Sequence, residues 1–434
     1  MMKNSNEEYY TRSVTELADI VPITTCQEVY STTGLKLVNK NIRLNSSFFE
    51  KLGRHNILPP LEQCLAVENG VNNEEIVFAA RYLLEVDPPL ARLLKNLPNH
   101  ADLFDILQAV TLSKPMVFLL TLARERRAGL FTHSVTVALI CIYLGIKLKL
   151  PRQKLIELAS AGLFHDLGEL RIDSGLLKDD AHPTPTERNE IYAHPATSQR
   201  MLLNSSIYSL EIVKAVMNHH EFIDGSGFPF GLVGIEMGQL STILSIAEFA
   251  ATKLDQEAVD GVARVEVALK FNLGKFDPAL LGYLTPFYEH RTEQGDLDNT
   301  HTIISEPQLH NQINNIVMAI VYWQRLLGSM PIRTRSPSAY IHQRLASLSQ
   351  ATREAGISIS DQNSVTDAIG GDAKCMEELD QINKETLRQI TEVVFEVQRR
   401  WPSYQDDMTD VGKVVCSWME HVQGLLLEER ERKL

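Results

Sequence analysis

Apolar residues recur at helical spacing along most of the chain, and few stretches alternate as strands do. Glu28–Leu44 is an exception: β-branched and apolar residues around Thr33-Gly34 and Asn39-Lys40-Asn41 predict one or two short strands with turns. Ser46–Leu58 has a helical pattern ended by Pro59-Pro60. Glu74–Leu84 and Ala101–Leu122 read as helices separated by Asp87-Pro88-Pro89. From Leu130 the helical pattern strengthens, with expected helices at Thr132–Leu150 and Gln153–Leu170 and a polar loop at Lys178–Pro183. Thr184, Pro185 and Glu187 form a capping-box start, and the helix they open is expected to run through His194. A helix over Ile207–His220 is expected to end in a histidine pair, followed by a Gly/Pro-rich loop at Asp224–Pro229 and a helix at Leu240–Leu254.

Beyond Thr292 the pattern changes. Thr292–Asn311 is polar and reads as a linker, Gln312–Leu327 as a buried helix, and Gly356–Asp372 as a flexible break. Met376–Trp401 and Asp410–Arg432 are amphipathic and suit a helical subdomain, a homodimer contact or a protein partner. The expected fold is therefore mainly α. It comprises a small mixed α/β region (1–124), a helical bundle (125–291) and a helical C-terminal region (292–434).

Composition narrows the function classes. The 434 residues are 44% hydrophobic and 22% charged, as in an ordinary globular chain. The 42 Lys+Arg against 55 Asp+Glu give a net charge of −13, which disfavours a nucleic-acid polymer as partner. No apolar run reaches the length expected of a membrane span, and Met1–Thr11 is polar and acidic, unlike a secretory signal. Five scattered cysteines with no CxxC pair fit reduced thiols in a cytoplasmic protein.

The histidines carry the chemistry. Six of the 13 lie at His133, His165, His182, His194, His219 and His220, and Asp166 follows His165. Imidazole and carboxylate together suit divalent first-row metals. A His-Asp doublet can give one metal an imidazole and lay its carboxylate across two. His219-His220 can add two nitrogens and Glu248 an oxygen. His182, in the polar loop, reads as a non-ligand. Two such metals would activate water and neutralise a phosphoryl group. Without thiolates, iron or manganese suits the site better than structural zinc.

His133-Ser134, His165-Asp166-Leu167-Gly168, His194-Pro195 and His219-His220-Glu221 with Asp224-Gly225-Ser226-Gly227-Phe228-Pro229 resemble, in order and spacing, the HD-GYP domains of the HD phosphohydrolase superfamily. Gly274-Lys275-Phe276-Asp277-Pro278 matches too, so the resemblance spans roughly residues 125–290. It implies an all-helical fold and a metal-dependent phosphodiesterase that hydrolyses cyclic di-GMP to a linear dinucleotide or GMP. It places metal ligation on His133, His165, Asp166, His194, His219 and His220, with Asp166 bridging two divalent ions.

Glu248 stands where the family has Asp, Phe228 replaces the signature Tyr, and Gly129 replaces the carboxylate of three-metal members. Glu169 replaces a family Lys; four residues from His165, on a helix it would share that face as a ligand or catalytic group. Asp224, Gly225, Gly227 and Lys253 are the candidate substrate contacts, although the Gly-rich loop equally suits a tight turn that orients His219 and His220. The alternative functions are a catalytically inactive signalling module and a phosphohydrolase of another nucleotide.

Overall fold

The computed structural model describes residues 5–95, 97, 101–178, 181, 183–255, 271–287, 306–328, 332–333, 335–354 and 373–431. The chain divides into two compact units, Met1–Gly261 with Gly274–Glu289, and Val262–Leu273 with His290–Leu434. Both are helical; the strands among the described residues are short and confined to the N-terminal region.

In the first unit, α1 (Ser5–Ile20) leads into β1 (Ile23–Thr25), which pairs antiparallel with β4 (Leu65–Val67) in the register Ile23↔Val67. Between them β2 (Val29–Tyr30) pairs with β3 (Lys36–Val38) around Gly34, whose φ of +82° suits a residue without a Cβ. The helical pattern of Ser46–Leu58 yields a 3-10 turn and only a short α2 (Phe49–Gly53), followed by α3 (Leu61–Cys64). Helix α4 (Asn73–Val86) opens with a capping box from Asn72 and Glu75.

Prolines redraw two expectations. Pro88-Pro89 start α5 (Pro88–Lys95), because a proline is tolerated in a first helical turn, where the missing N–H would have no partner. The helix expected over Ala101–Leu122 is two, α6 (Ala101–Gln108) and α7 (Lys114–Arg126). Ser113 caps the second and Pro115 sits in its first turn.

The centre of the unit is α8 (Ala128–Lys147), buried around most of its circumference. It is the one described helix long and apolar enough to cross a membrane by length and composition alone, which corrects the expectation that no stretch reaches that length. Its burial in the unit accounts for its composition. Helix α9 (Arg152–Phe164) crosses it closely at Gly162, where a Cβ would lie 2.7 Å from the Ala138 Cα. The bundle also contains α10 (Pro185–Tyr192), α11 (His194–Ser205), α12 (Leu210–Met217), α13 (Gln239–Asp255) and α14 (Pro278–Tyr283).

A buried ionic cluster ties the N-terminal elements to the bundle. Arg171 donates two hydrogen bonds to Glu62, at 3.0 and 3.1 Å, and a third to Glu7. Its guanidinium lies 4.2 Å from the centre of the Tyr10 ring, and the Tyr10 hydroxyl donates to Glu62 at 3.1 Å.

The second unit contains Glu306–Leu327, Pro337–Glu354, Ala373–Arg400 and Asp410–Glu431. Their apolar faces share one core, in which Trp323 and Trp418 meet edge to face at 5.8 Å and the Trp418 indole donates to the Ala319 carbonyl at 2.9 Å. This packing accounts for their amphipathic pattern. The linker expected over Thr292–Asn311 is corrected at its end, where residues 306–311 open the Glu306–Leu327 helix; its residues 292–305, the break at 356–372 and His182 lie outside the described residues.

Candidate metal centre

Five segments converge. Helix α8 supplies His133 and α13 supplies Glu248. Helix α9 ends at Phe164, so His165 caps it and Asp166 begins the turn beyond. His194 is the first residue of α11, not part of α10, which stops at Tyr192; Pro195 cannot continue a preceding helix, so the chain restarts there. Helix α12 likewise ends at Met217, and His219-His220 follow it rather than close it.

The side chains gather into two groups of four that share Asp166: His133, His165, Asp166 and Glu248, and Asp166, His194, His219 and His220. In the first, Glu248 Oε2 is 2.8 Å from His133 Nε2 and 3.0 Å from His165 Nε2, while Asp166 Oδ2 is 3.0 Å from His165 Nε2. In the second, Asp166 Oδ1 is 3.1 Å from His194 Nε2 and 3.3 Å from His219 Nε2, and His220 Nε2 is 3.2 Å from His194 Nε2.

The tautomers make this a cation site. His165, His194 and His219 each place Nδ1 against the carbonyl three residues earlier, at 2.8 Å from Gly162, 2.7 Å from Ile191 and 2.6 Å from Val216. A carbonyl only accepts, so each Nδ1 carries the proton and each neutral ring turns a lone pair inward from Nε2. Carboxylate oxygens and imidazole lone pairs then face one another, and the buried Asp166 Oδ1 has no donor. A cation resolves such an arrangement, and the nitrogen and oxygen donors suit a divalent first-row metal.

A proton takes the place of a cation at His165 when no metal is bound, and His194 is also raised against its burial by its hydrogen bond to Asp166 and by the Asp166 charge. Burial opposes a charged His165, but the Asp166 carboxylate and hydrogen bonds to Asp166 and Glu248 prevail and carry its pKa up to about 10. Burial also opposes charge on Asp166 and Glu248, yet the neighbouring histidines hold both well below the usual carboxylate range. His220 moves the other way, pushed down by burial and by His219 and His194.

His165 is raised above its unfolded value, so in metal-free protein its stabilising contribution is complete below about pH 6.5. It fades as pH rises toward the folded value of about 10. Metal entry near pH 7.5 is expected to release about one proton from this group. Titrating manganese in two buffers of different ionisation enthalpy measures it; identical apparent enthalpies would contradict the proton exchange.

The surrounding chain fixes the donors. Thr252 donates to Glu248 Oε1 at 2.7 Å. Phe228 stacks on His220 at 4.5 Å and 23°, and Tyr192 meets Phe228 edge-on. Glu221 is fully buried, and its carboxylate accepts the backbone N–H groups of Phe230, Gly231 and Leu232, clamping the loop that follows the signature. Asp224 accepts the Ser226 N–H at 2.9 Å, and Gly225 has a φ of +76°. A Cβ on Gly227 would lie 2.3 Å from the His220 carbonyl oxygen. These contacts make the loop a tight turn against the histidine pair. Lys253 is buried, with its ammonium 5.7 Å from the Phe249 ring centre.

Gly168 brings the His-Asp turn against α11: a Cβ there would lie 2.3 Å from the His194 carbonyl oxygen and 2.8 Å from Ser198 Oγ. Gly168→Ala should cost about 1–3 kcal/mol through overpacking and lower metal content. Denaturant unfolding and metal analysis check both, and wild-type values in both would contradict the close packing.

Glu169 is in neither donor group. The expectation that it shares a helical face with His165 fails because the chain leaves α9 and forms a 3-10 turn, Leu167–Arg171. Its carboxylate instead faces Arg127, 3.2 Å from Nη2, while Arg127 Nη1 donates to the Glu169 carbonyl at 2.8 Å. Sequence reasoning missed Arg127 and Arg171, whose ion pairs have no local signal. Glu221, which the sequence allows either to orient a ligand histidine or to sit exposed at a helix end, is buried and bound to the following loop instead.

Residues 118–258 match the family model described as an HD domain. A cyclic di-GMP phosphodiesterase of Pseudomonas aeruginosa is 33% identical over 150 residues, covering 34% of this chain and 36% of that protein. One of Borreliella burgdorferi is 29% identical, covering 34% and 40%. A 3'3'-cGAMP-specific phosphodiesterase of Vibrio cholerae is 33% identical, covering 27% of each. The chain thus spans 40% or less of the length of these curated relatives. No solved structure gives a significant match. With this match and the His-Asp, His-His-Glu and Asp-Gly-Ser-Gly-Phe-Pro signatures in place, residues 118–258 of this chain form an HD domain of HD-GYP-like type.

Proposed function

We propose that the chain is a metal-dependent phosphodiesterase that opens cyclic di-GMP to the linear dinucleotide or GMP in bacterial signalling. The observation that carries this reading is Asp166, whose two oxygens belong to two different four-donor groups. His133, His165, Glu248 and Asp166 Oδ2 would hold one divalent ion, and His194, His219, His220 and Asp166 Oδ1 a second. Iron and manganese are the proposed ions, since all the donors are nitrogen or oxygen. A bound pair would supply hydroxide near neutral pH and neutralise the phosphoryl oxygens.

The chain's own residues fix that chemistry in place. Asp166 sets the spacing of the two groups, Thr252 orients Glu248, and Phe228 holds the His220 ring. Substrate contacts are proposed at Asp224, Gly225, Gly227 and Lys253. The proposed setting is the cytoplasm, with any homodimer or protein partner engaging the flanking regions.

Purification without chelators, metal analysis, and turnover assays on cyclic di-GMP and 3'3'-cGAMP test the reading against a His165→Ala/Asp166→Ala control. Metal-dependent turnover lost in the control is expected. Bound metal without turnover of either nucleotide, even with added iron and manganese, would favour an inactive signalling module. The specific observation on that side is Glu169, an anion beside a site meant for phosphate.

A further inference from the structure

A cyclic dinucleotide brings two phosphodiester charges to a centre already crowded with carboxylates. Arg127 immediately precedes α8, and its guanidinium reaches across to the turn that carries Asp166. It meets Glu169 twice, at the carbonyl and at the carboxylate, and the two side chains are 13% and 20% exposed, so the pair is sheltered but open to solvent. Glu169 is tied to the donor centre on both sides. Its N–H donates to the Asp166 carbonyl at 2.9 Å, and the adjoining Gly168 packs against the His194 carbonyl. A guanidinium has five N–H donors in a planar fork. Two are directed at Glu169, and the fork matches a phosphate's paired oxygens.

We propose that Arg127 grips a non-bridging oxygen of the substrate phosphodiester beside the metal pair, with Glu169 as the positioning residue that holds the guanidinium until phosphate displaces its carboxylate. The inference rests on the phosphodiesterase reading. It gives Glu169 a purpose: the cation of the phosphate subsite comes from the residue that precedes α8, and Glu169 both orients it and competes for it. A purely structural ion pair, joining the start of α8 to the His-Asp turn, makes a different prediction. Breaking such a pair from either side would disturb Asp166 in the same way, whereas a phosphate-gripping Arg127 and a competing Glu169 have opposite effects.

The full-length, metal-loaded chain is titrated calorimetrically with a slowly hydrolysed phosphorothioate analogue of cyclic di-GMP and, separately, with inorganic phosphate. Arg127→Gln is expected to weaken both probes about tenfold or more with metal content unchanged. Glu169→Gln is expected to tighten both several-fold, again at unchanged metal content. Affinities that fall in both variants, or change in neither, overturn the proposal, as does metal loss in Arg127→Gln. Wild-type protein that binds phosphate but not the nucleotide, with the opposite shifts intact, would defeat the cyclic dinucleotide reading and leave Arg127 in place. Wild-type protein that binds neither probe defeats both.

Discussion

Asp166→Asn is expected to reduce phosphodiester hydrolysis by about a thousandfold or more and to bring bound metal below one ion per chain. The substitution keeps size and shape but removes the charge that both donor groups share. It also places an amide NH2 near the Nε2 atoms of His194 and His219, now 3.1 and 3.3 Å from Asp166 Oδ1. Those N–H groups would satisfy acceptors that otherwise need a cation, while the ion pair with protonated His165 is lost, so the metal-free variant should lose the part of its stability that His165 contributes below its folded value. Loss of metal with a retained cooperative unfolding transition separates a ligand role from a folding role. A variant that still carries two ions per chain would refute the shared-carboxylate arrangement.

Arg171→Met should destabilise the first unit by about 3–5 kcal/mol, the range for removing one partner of a buried ion pair. The Glu62 side chain is only 3% exposed, and without Arg171 its carboxylate keeps one donor, the Tyr10 hydroxyl. Adding Glu62→Gln should restore much of the loss, because the buried charge then disappears. Denaturant midpoints of the single and double variants measure this. Additive losses would show that the cost comes from packing and not from the stranded charge. Arg171 closes the same 3-10 turn that follows Asp166, so the single variant should also bind metal more weakly.

The donor centre was legible in the sequence because its chemistry depends on residue type: histidines and carboxylates at family spacing identified its members, including Glu248. Their local settings were less so. The periodicity that suggested one helix through His194 and another through His220 ignored Pro195 and the turn at Asn218, which place these histidines at chain reversals. Glu169 was misread for the same reason, since helical spacing was applied past the end of α9. The pairs Arg127–Glu169 and Arg171–Glu62 join residues 42 and 109 positions apart, and no periodicity reports a partner at that distance. In the N-terminal region the strands were foreseen around Gly34, but the β1–β4 pairing required the folded chain.

The three imidazole protons held on carbonyls of Gly162, Ile191 and Val216 also bear on how fast the centre fills. A ring free to choose its tautomer would have to exchange a proton or flip before it could coordinate. Here those choices are settled by the main chain itself. An incoming ion meets donors already aimed at it, and beyond displacing the proton on His165 the slow event left is shedding its own hydration shell. Loading rates should then rank manganese, iron and magnesium by water exchange at the ion rather than by any motion of the protein.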